Sequence, residues 1–318
     1  MDKRPLGNTG LSVTPICEGT SPLGNFPAQY GYEVGEKQAV DTILRILEGP
    51  LNFIDTSNNY FDAERRIGIA LRERGGLPED FVLATKVDPE HGSTDLSGTR
   101  ARASVQESLE RLGLDHLQLV FIHDPELHDF DQATGPGGVV EAMVAMQQEG
   151  LIDHIGVAGG PIDLMLRYVE LGVFQAVVSH NRYTLVDQSA RPLIDATDNR
   201  GMAFINGAPY GGGMLVKGPD EHPNYCYSPA SEATKDRVRQ MQDACRQYDV
   251  PLAAAALQFS LREPAIASTI VGMSTPERLN QTLALAEAHI PDELWSVLDD
   301  LARVGRHGIE EHSSQTLS

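Results

Sequence analysis

The sequence predicts an α/β protein, a closed (β/α)8 TIM barrel. Three observations point there. Short apolar segments alternate with amphipathic ones about eight times along the 318 residues. The short segments are apolar throughout, as strands buried on both faces of a parallel sheet must be. No GxGxxG follows the first of them, so an open dinucleotide-binding sheet lacks its fingerprint. Eight successive strand–helix units in one chain favour closure of the sheet on itself.

In chain order, Gly7 and Gly10 mark turns in the N-terminal segment, and a short apolar run leads to Gly19. Helical spacing of Val40, Ile43, Leu44 and Leu47 predicts a helix over 36–48. A strand over 52–54 and a helix over 63–74 follow. FVLATK reads as a strand over 81–86. Val105, Leu109 and Leu112 share a face of a helix over 99–112. LQLVFIH is a strand over 117–123. Helices over 138–149, 162–171 and 187–199 alternate with strands over 152–157, 174–179 and 202–206. A long helix over 232–248 and an Ala-rich helix over 252–262 precede the last pair, a strand over 268–271 and a helix over 276–288. The stretch 211–230, rich in Gly, Pro and Tyr, reads as a long loop of the lid or binding type.

No linker divides the chain, so one domain over 1–318 is expected. The composition is globular, with 41% hydrophobic and 22% charged residues. No apolar run approaches the roughly 20 residues needed to span a bilayer. MDKRPLGNTG has no apolar stretch after its basic residues, and a cytoplasmic protein is expected. Cys17, Cys226 and Cys245 are widely spaced and lack ligand partners, so they read as reduced thiols with no metal site. A net charge of −20 argues against nucleic acid and anionic membrane as partners. A small-molecule ligand is the expectation, in a monomer or small homo-oligomer.

The strand ends carry the chemistry, because the C-terminal rim of such a barrel is its active face. The second strand ends at Asp55, the third at Lys86 and the fourth at His123, with Tyr60 in the loop after the second. Singly, each has an ordinary explanation: a turn former, a solvated amine, a structural imidazole, a loop wedge. Together they form a proton-transfer set. A phenol titrates near 10, too high for easy exchange at neutral pH. A nearby ammonium favours phenolate, a carboxylate keeps the ammonium charged and placed, and a neutral imidazole can orient an alcohol or carbonyl oxygen. Such a set interconverts alcohol and carbonyl, and a cofactor must carry the hydride.

These residues resemble the Asp–Tyr–Lys–His tetrad of the aldo-keto reductases, and the likeness spans nearly the whole chain. RPLGNTGLSVTPICEG is similar to the family's N-terminal β-hairpin, NFIDTSNNY to its Asp-to-Tyr motif, LATKV to its lysine strand and FIHDPE to its histidine strand. VGMSTPERL is similar to its C-terminal cofactor-binding loop. The resemblance implies Asp55, Tyr60, Lys86 and His123 as the tetrad, with Tyr60 as acid/base. It implies NAD or NADP as cofactor, with Gly19, Thr20, Gly207, Tyr210, Gly211, Gly213, Gly272, Ser274, Thr275 and Arg278 lining its site. Gly211, Gly212 and Gly213 suit a loop over the diphosphate, since glycine lets backbone N–H groups approach closely. Pro276 and Glu277 open a helix whose N-terminus suits a phosphate, with Arg278 as the cation.

Three departures from the family pattern bear on the cofactor. Gly272 and Met273 stand where NADP-preferring members often have Lys and Ser, so NAD is preferred, with NADP possible through Arg278, Ser274 and Thr275. The usual Ser-Asn pair that holds the carboxamide reads Ala158-Gly159, leaving Asn181 as a candidate holder. The usual stacking aromatic aligns with Gly207, leaving Tyr210 to replace it or to face substrate.

EGTSPLGN, HNRYTLVDQ and GAPYGGGML are similar to the family's sugar dehydrogenases, the L-fucose, D-threo-aldose and L-galactose type, with pyridoxal 4-dehydrogenase close by. The implied reaction is oxidation of an aldose at its anomeric carbon to a lactone. Asn58, Asn59, Asp124, Glu126 and Tyr210 are candidate partners for substrate hydroxyls, or ordinary loop polarity. Pyridoxal oxidation and general aldehyde or ketone reduction stay open. So does a non-catalytic nucleotide-sensing subunit, although all four tetrad residues are present.

Overall fold

The computed structural model describes residues 1–226 and 228–304. Eight parallel strands close into a barrel: β1 (Ile16–Gly19), β2 (Phe53–Asp55), β3 (Val82–Val87), β4 (Leu117–His123), β5 (Ile152–Gly159), β6 (Ala176–His180), β7 (Ala203–Gly207) and β8 (Ile266–Gly272). β8 pairs with both β7 and β1, which seals the sheet. The expected barrel is the observed one. Strands run a residue or two past the expected ends at Gly159, His180 and Gly272, because ladder pairing continues where residue type gives no strand signal.

The helices wrap the outside: α1 (Glu36–Leu47), α2 (Ala63–Arg74), α3 (Gly98–Leu112), α4 (Val139–Gln148), α5 (Ile162–Glu170), α6 (Arg191–Asp198), α7 (Glu232–Gln247), α8 (Leu252–Leu261), α9 (Pro276–Glu287) and α10 (Asp292–Val304). α1 buries Ala39, Val40, Ile43, Ile46 and Leu47, one stripe at helical spacing. α6 starts four residues later than its pattern suggests. The Asp187 carboxylate accepts from Ser189 N–H at 2.8 Å, and that local turn competes with helix. The 211–230 stretch carries short elements of its own, a helix over Met214–Lys217 and a two-strand ladder of Asn224–Tyr225 with Ser228–Pro229.

Strand alternation divides the core in two. Outward residues such as Ile54, Val120 and Val177 meet the helices. Inward residues such as Cys17, Phe53, Ala84, Phe121, Ala176 and Ile205 fill the barrel. Gly156 leaves room for the Phe121 ring, since a Cβ there would lie 2.5 Å from it. The N-terminal hairpin, Arg4–Pro5 with Ser12–Val13, sets Leu6 and Val13 into the inner core and plugs the bottom. Gly7, at φ +55°, lets its turn lie against Ala203, whose nitrogen would be 2.5 Å from a Cβ. With the bottom filled by apolar side chains, polar groups on the inward positions collect at the opposite mouth.

Candidate active site

Inward positions follow a period of two, so the last inward residue of each strand faces that mouth. Asp55 on β2, Lys86 on β3, His123 on β4 and His180 on β6 all occupy such positions. Lys86 and Asp55 are each 3% exposed, and Lys86 Nζ donates to Asp55 Oδ2 at 2.7 Å and to the Thr56 carbonyl at 2.7 Å. Tyr60 reaches over the pair from a turn closed by its N–H to the Ser57 carbonyl. Lys86 Nζ lies 4.7 Å from the Tyr60 ring centroid. The Tyr60 and His123 rings meet edge-on, with centroids 5.5 Å apart. Gly24 makes this placement possible, because a Cβ there would stand 2.1 Å from the Tyr60 carbonyl oxygen.

The electrostatics depart from the expected pattern in two places. Burial pushes the Tyr60 phenol well above 10, and the carboxylates of Asp55 and Asp124 add to the rise. The lowering expected from Lys86 does not prevail; that ammonium is paired with Asp55. At His123 the surroundings favour the charged ring over the neutral imidazole expected. Burial lowers its pKa, but the charges of Asp124 and Asp88 and the Asp88 hydrogen bond overcome that and raise it to about 9. Asp88 Oδ1 lies 2.6 Å from His123 Nδ1. Burial also raises the Asp55 carboxyl, against the pull of Lys86.

Asp88 escaped the sequence reading although its signal is present. It stands two residues after Lys86, hence on the same inward side. Its Oδ2 accepts from Ser57 Oγ at 2.5 Å and from Asn59 N–H at 3.2 Å. Next to it is a second polar cluster. Asp124 Oδ1 is 3.8 Å from His180 Nε2, and its Oδ2 is 3.8 Å from His123 Nε2. Glu126 Oε1 accepts from Gly160 N–H at 3.0 Å, while its buried Oε2 has no partner among the described residues. Gly159 and Gly160 give that carboxyl its room, a Cβ at Gly159 falling 2.7 Å from Glu126 Oε2. Asn58 is withdrawn from the substrate candidates: its amide is spent on α3, donating to the Ser104 carbonyl and Glu107 Oε2, both at 3.2 Å. Asn59 Oδ1 is buried without a partner.

The expected cofactor residues gather on the other side of the mouth. Gly19 pairs with Gly272 and Asp55 across β8, β1 and β2, and Thr20 Oγ1 donates to the Asp55 carbonyl at 3.1 Å. Gly207 pairs with His180 and Ile270, and its carbonyl accepts from Asn181 N–H at 3.1 Å. Asn181 is 6% exposed at φ +61°, and its Oδ1 has no partner among the described residues, a free acceptor fit for a carboxamide. Gly211, Gly212 and Gly213 have φ of +57°, +73° and +115°, so this turn requires glycine. Thr275 caps α9, accepting from Arg278 N–H, and the Ser274 carbonyl accepts from Gln38 Nε2 at 2.7 Å. Arg278 is exposed, bonded to Gln281 Oε1, and close enough to Tyr210 to act on its phenol, which burial pushes up to about 12. Glu18, fully buried and missed in the sequence, braces this loop by accepting from Met273 N–H at 3.3 Å. A glycine turn, a capped helix N-terminus, an exposed arginine and an orphan amide oxygen fit a dinucleotide.

A sequence model described as the Aldo/keto reductase family matches residues 15–303. The chain belongs to the aldo/keto reductase family. It is 31% identical over 290 residues to L-galactose dehydrogenase of Arabidopsis thaliana, covering 89% of this chain and 88% of that one. It is 28% identical over 337 residues to pyridoxal 4-dehydrogenase of Microbacterium luteolum, covering 93% and 96%. It is also 28% identical over 319 residues to D-threo-aldose 1-dehydrogenase of a Pseudomonas species, covering 91% and 94%. The fold of an aldo-keto reductase from Bacillus halodurans superposes with TM-score 0.77 at 23% identity, covering 98% of this chain and 99% of that one. Relatives of this chain thus include two sugar dehydrogenases, the branch that its loop sequences resemble. Among the described residues, no helix is long and apolar enough to cross a membrane.

Proposed function

We propose that this aldo/keto reductase is an NAD-dependent aldose dehydrogenase that oxidises the anomeric carbon of a cyclic sugar to a lactone. The observation that carries the reading is the meeting of two clusters at one mouth. The Asp55–Lys86 pair lies beneath the Tyr60 ring beside His123. The polar groups Asp124, Glu126 and His180, suited to sugar hydroxyls, adjoin it. A hydroxyl-rich substrate needs such partners, since each buried polar group left unpaired is costly. The likeness to L-galactose and D-threo-aldose dehydrogenases supports the same substrate class.

In this mechanism Tyr60 Oη takes the anomeric O–H proton and His123 Nε2 donates to the same oxygen. Lys86 favours the phenolate through the ring contact, and Asp55 holds Lys86 in place. The bound nicotinamide nucleotide supplies the hydride acceptor. Asn181 Oδ1 would hold its carboxamide, Gly211 to Gly213 its diphosphate, and the α9 N-terminus with Arg278 its adenosine end. Tyr210, near enough to Arg278 to feel its charge, would lie beside the nucleotide, and Gly19, Thr20, Gly207, Gly272, Ser274 and Thr275 would form the backbone of the cradle. NAD is favoured over NADP. Met273 is fully buried and Gly272 has no side chain, so Arg278 is left to face a 2′-phosphate in a chain of net charge −20.

A second reading, pyridoxal oxidation to its lactone, is favoured by the 28% identity to pyridoxal 4-dehydrogenase. One assay tests both: reduction of NAD⁺ and NADP⁺ by the purified protein against L-fucose, L-galactose, D-arabinose, other aldoses and pyridoxal. Turnover of an aldose with NAD⁺ is expected. Activity confined to pyridoxal, or to simple aldehydes with NADPH, would remove the sugar assignment.

A further inference from the structure

Asp88 has no place in the four-residue set, yet it is 3% exposed and spends both carboxylate oxygens at the mouth. Oδ1 meets His123 Nδ1 at 2.6 Å, while Oδ2 accepts from Ser57 Oγ and from Asn59 N–H. Its backbone is fixed from α3: Asp88 N–H donates to Ser104 Oγ at 3.1 Å and its carbonyl accepts from Arg100 Nε at 3.0 Å. A carboxylate bonded this way has no freedom to turn from the imidazole. Ser57 Oγ also lies 3.2 Å from Nδ1, so that nitrogen is fully engaged and Nε2 is the one left facing the mouth.

We propose that Asp88 is a positioning residue that acts through His123: it fixes the ring with Nε2–H toward the substrate oxygen and keeps it an imidazolium. This inference rests on the role given to His123 in the reading above. A charged donor is the stronger one where negative charge develops on the anomeric oxygen. The titration agrees with the geometry, since Asp88 is among the groups that raise His123 to about 9. The other groups facing the ring are Asp124 from its own turn, Tyr60 and Asp55 from the β2 end and Lys86 from β3, with His180 of β6 beyond Asp124. Asp124 remains when Asp88 is neutralised, so the ring should lose only part of its shift.

The test is a pH titration of the histidine ring nitrogens by NMR, on ¹⁵N-labelled protein without substrate. The His123 signal is assigned by its loss in His123→Gln. The wild-type ring is expected to stay protonated until about pH 9. Asp88→Asn should lower the midpoint by about 1–2 units, and Ser57→Ala by less in the same direction. Because the Tyr60 phenol titrates above His123, His123 sets the acid limb of kcat/KM for sugar oxidation, and that limb should move in parallel. A wild-type midpoint near 6.5, or one unchanged in Asp88→Asn, would overturn the proposal. So would a shifted ring with an unmoved kinetic limb. Should Asp88→Asn fail to fold, the wild-type midpoint and Ser57→Ala still decide. Silence toward every aldose with the expected ring shift would sink the sugar reading while leaving the action of Asp88 on His123 intact.

Discussion

The two walls of the barrel mouth are built on different principles. The wall from β2 to β4 is made of side chains: Asp55, Lys86, His123 and Asp88 are buried or nearly so and joined by contacts of 2.6–2.7 Å. The wall from β6 to β8 is made largely of backbone, with a few side chains such as Asn181 and Tyr210 set into it. Glycines at positive φ, a capped helix and a single exposed arginine shape it. Chemistry needs charges fixed in a dry place before the substrate arrives. A dinucleotide instead needs a surface its phosphates and rings can lie against, which backbone N–H groups provide.

Substitutions on the two walls should therefore differ in kind. The largest effect is expected from Tyr60→Phe, which removes the acid/base and should lower kcat by about 10²–10⁴. Titration with NADH should show nucleotide binding unchanged; loss of binding would move Tyr60 to the other wall. Asp55→Ala strands Lys86 at 3% exposure and should cost about 3–5 kcal/mol in urea unfolding. A loss under about 1 kcal/mol would mean that Lys86 finds other partners.

The third effect depends on pH. The folded His123 pKa of about 9 lies above its unfolded value of 6.5, so this group stabilises the fold fully below pH 6.5 and loses that contribution as pH rises through 9. Asp88→Asn should cost about 2 kcal/mol at pH 6 and much less at pH 10, read from denaturant midpoints at both. An equal cost at the two pH values would assign Asp88 a packing role only.

On the backbone wall, Gly211→Ala places a Cβ at φ +57° and 2.2 Å from the Tyr225 ring. A cost of about 1–3 kcal/mol with weaker nucleotide binding is expected. The smallest effect is Arg278→Ala, an exposed site whose loss should leave stability within about 0.5 kcal/mol. Nucleotide affinity should fall roughly fivefold, near 1 kcal/mol, and more for NADP⁺ than NAD⁺. Equal losses would place Arg278 away from the 2′ position.

The side-chain wall was the more legible in sequence, for a physical reason. Strand ends on an alternating pattern say which residues share the mouth, so Asp55, Lys86 and His123 followed from the barrel itself. What sequence withheld was pairing. Nothing local says that Asp88 turns to His123, that Asn58 turns to α3, or that burial outweighs Lys86 at the Tyr60 phenol; these depend on packing between elements distant in sequence. The backbone wall showed in sequence through its glycines, and the family resemblance added Asn181, Tyr210, Ser274, Thr275 and Arg278. The brace from Glu18 to Met273 joins residues 255 apart in the chain, and a strand-interior glutamate carries no sign of such a role.

The central claim is that hydride leaves the anomeric carbon of a sugar in this site. The most direct measurement uses an aldose deuterated at C1, with NAD⁺ and the purified protein, and follows the label by NMR. The account predicts deuterium on the nicotinamide ring of NADH, a lactone product, and a slower rate than with the unlabelled sugar. Turnover that leaves the reduced nucleotide free of deuterium, or no turnover of any aldose while pyridoxal is oxidised, would contradict it.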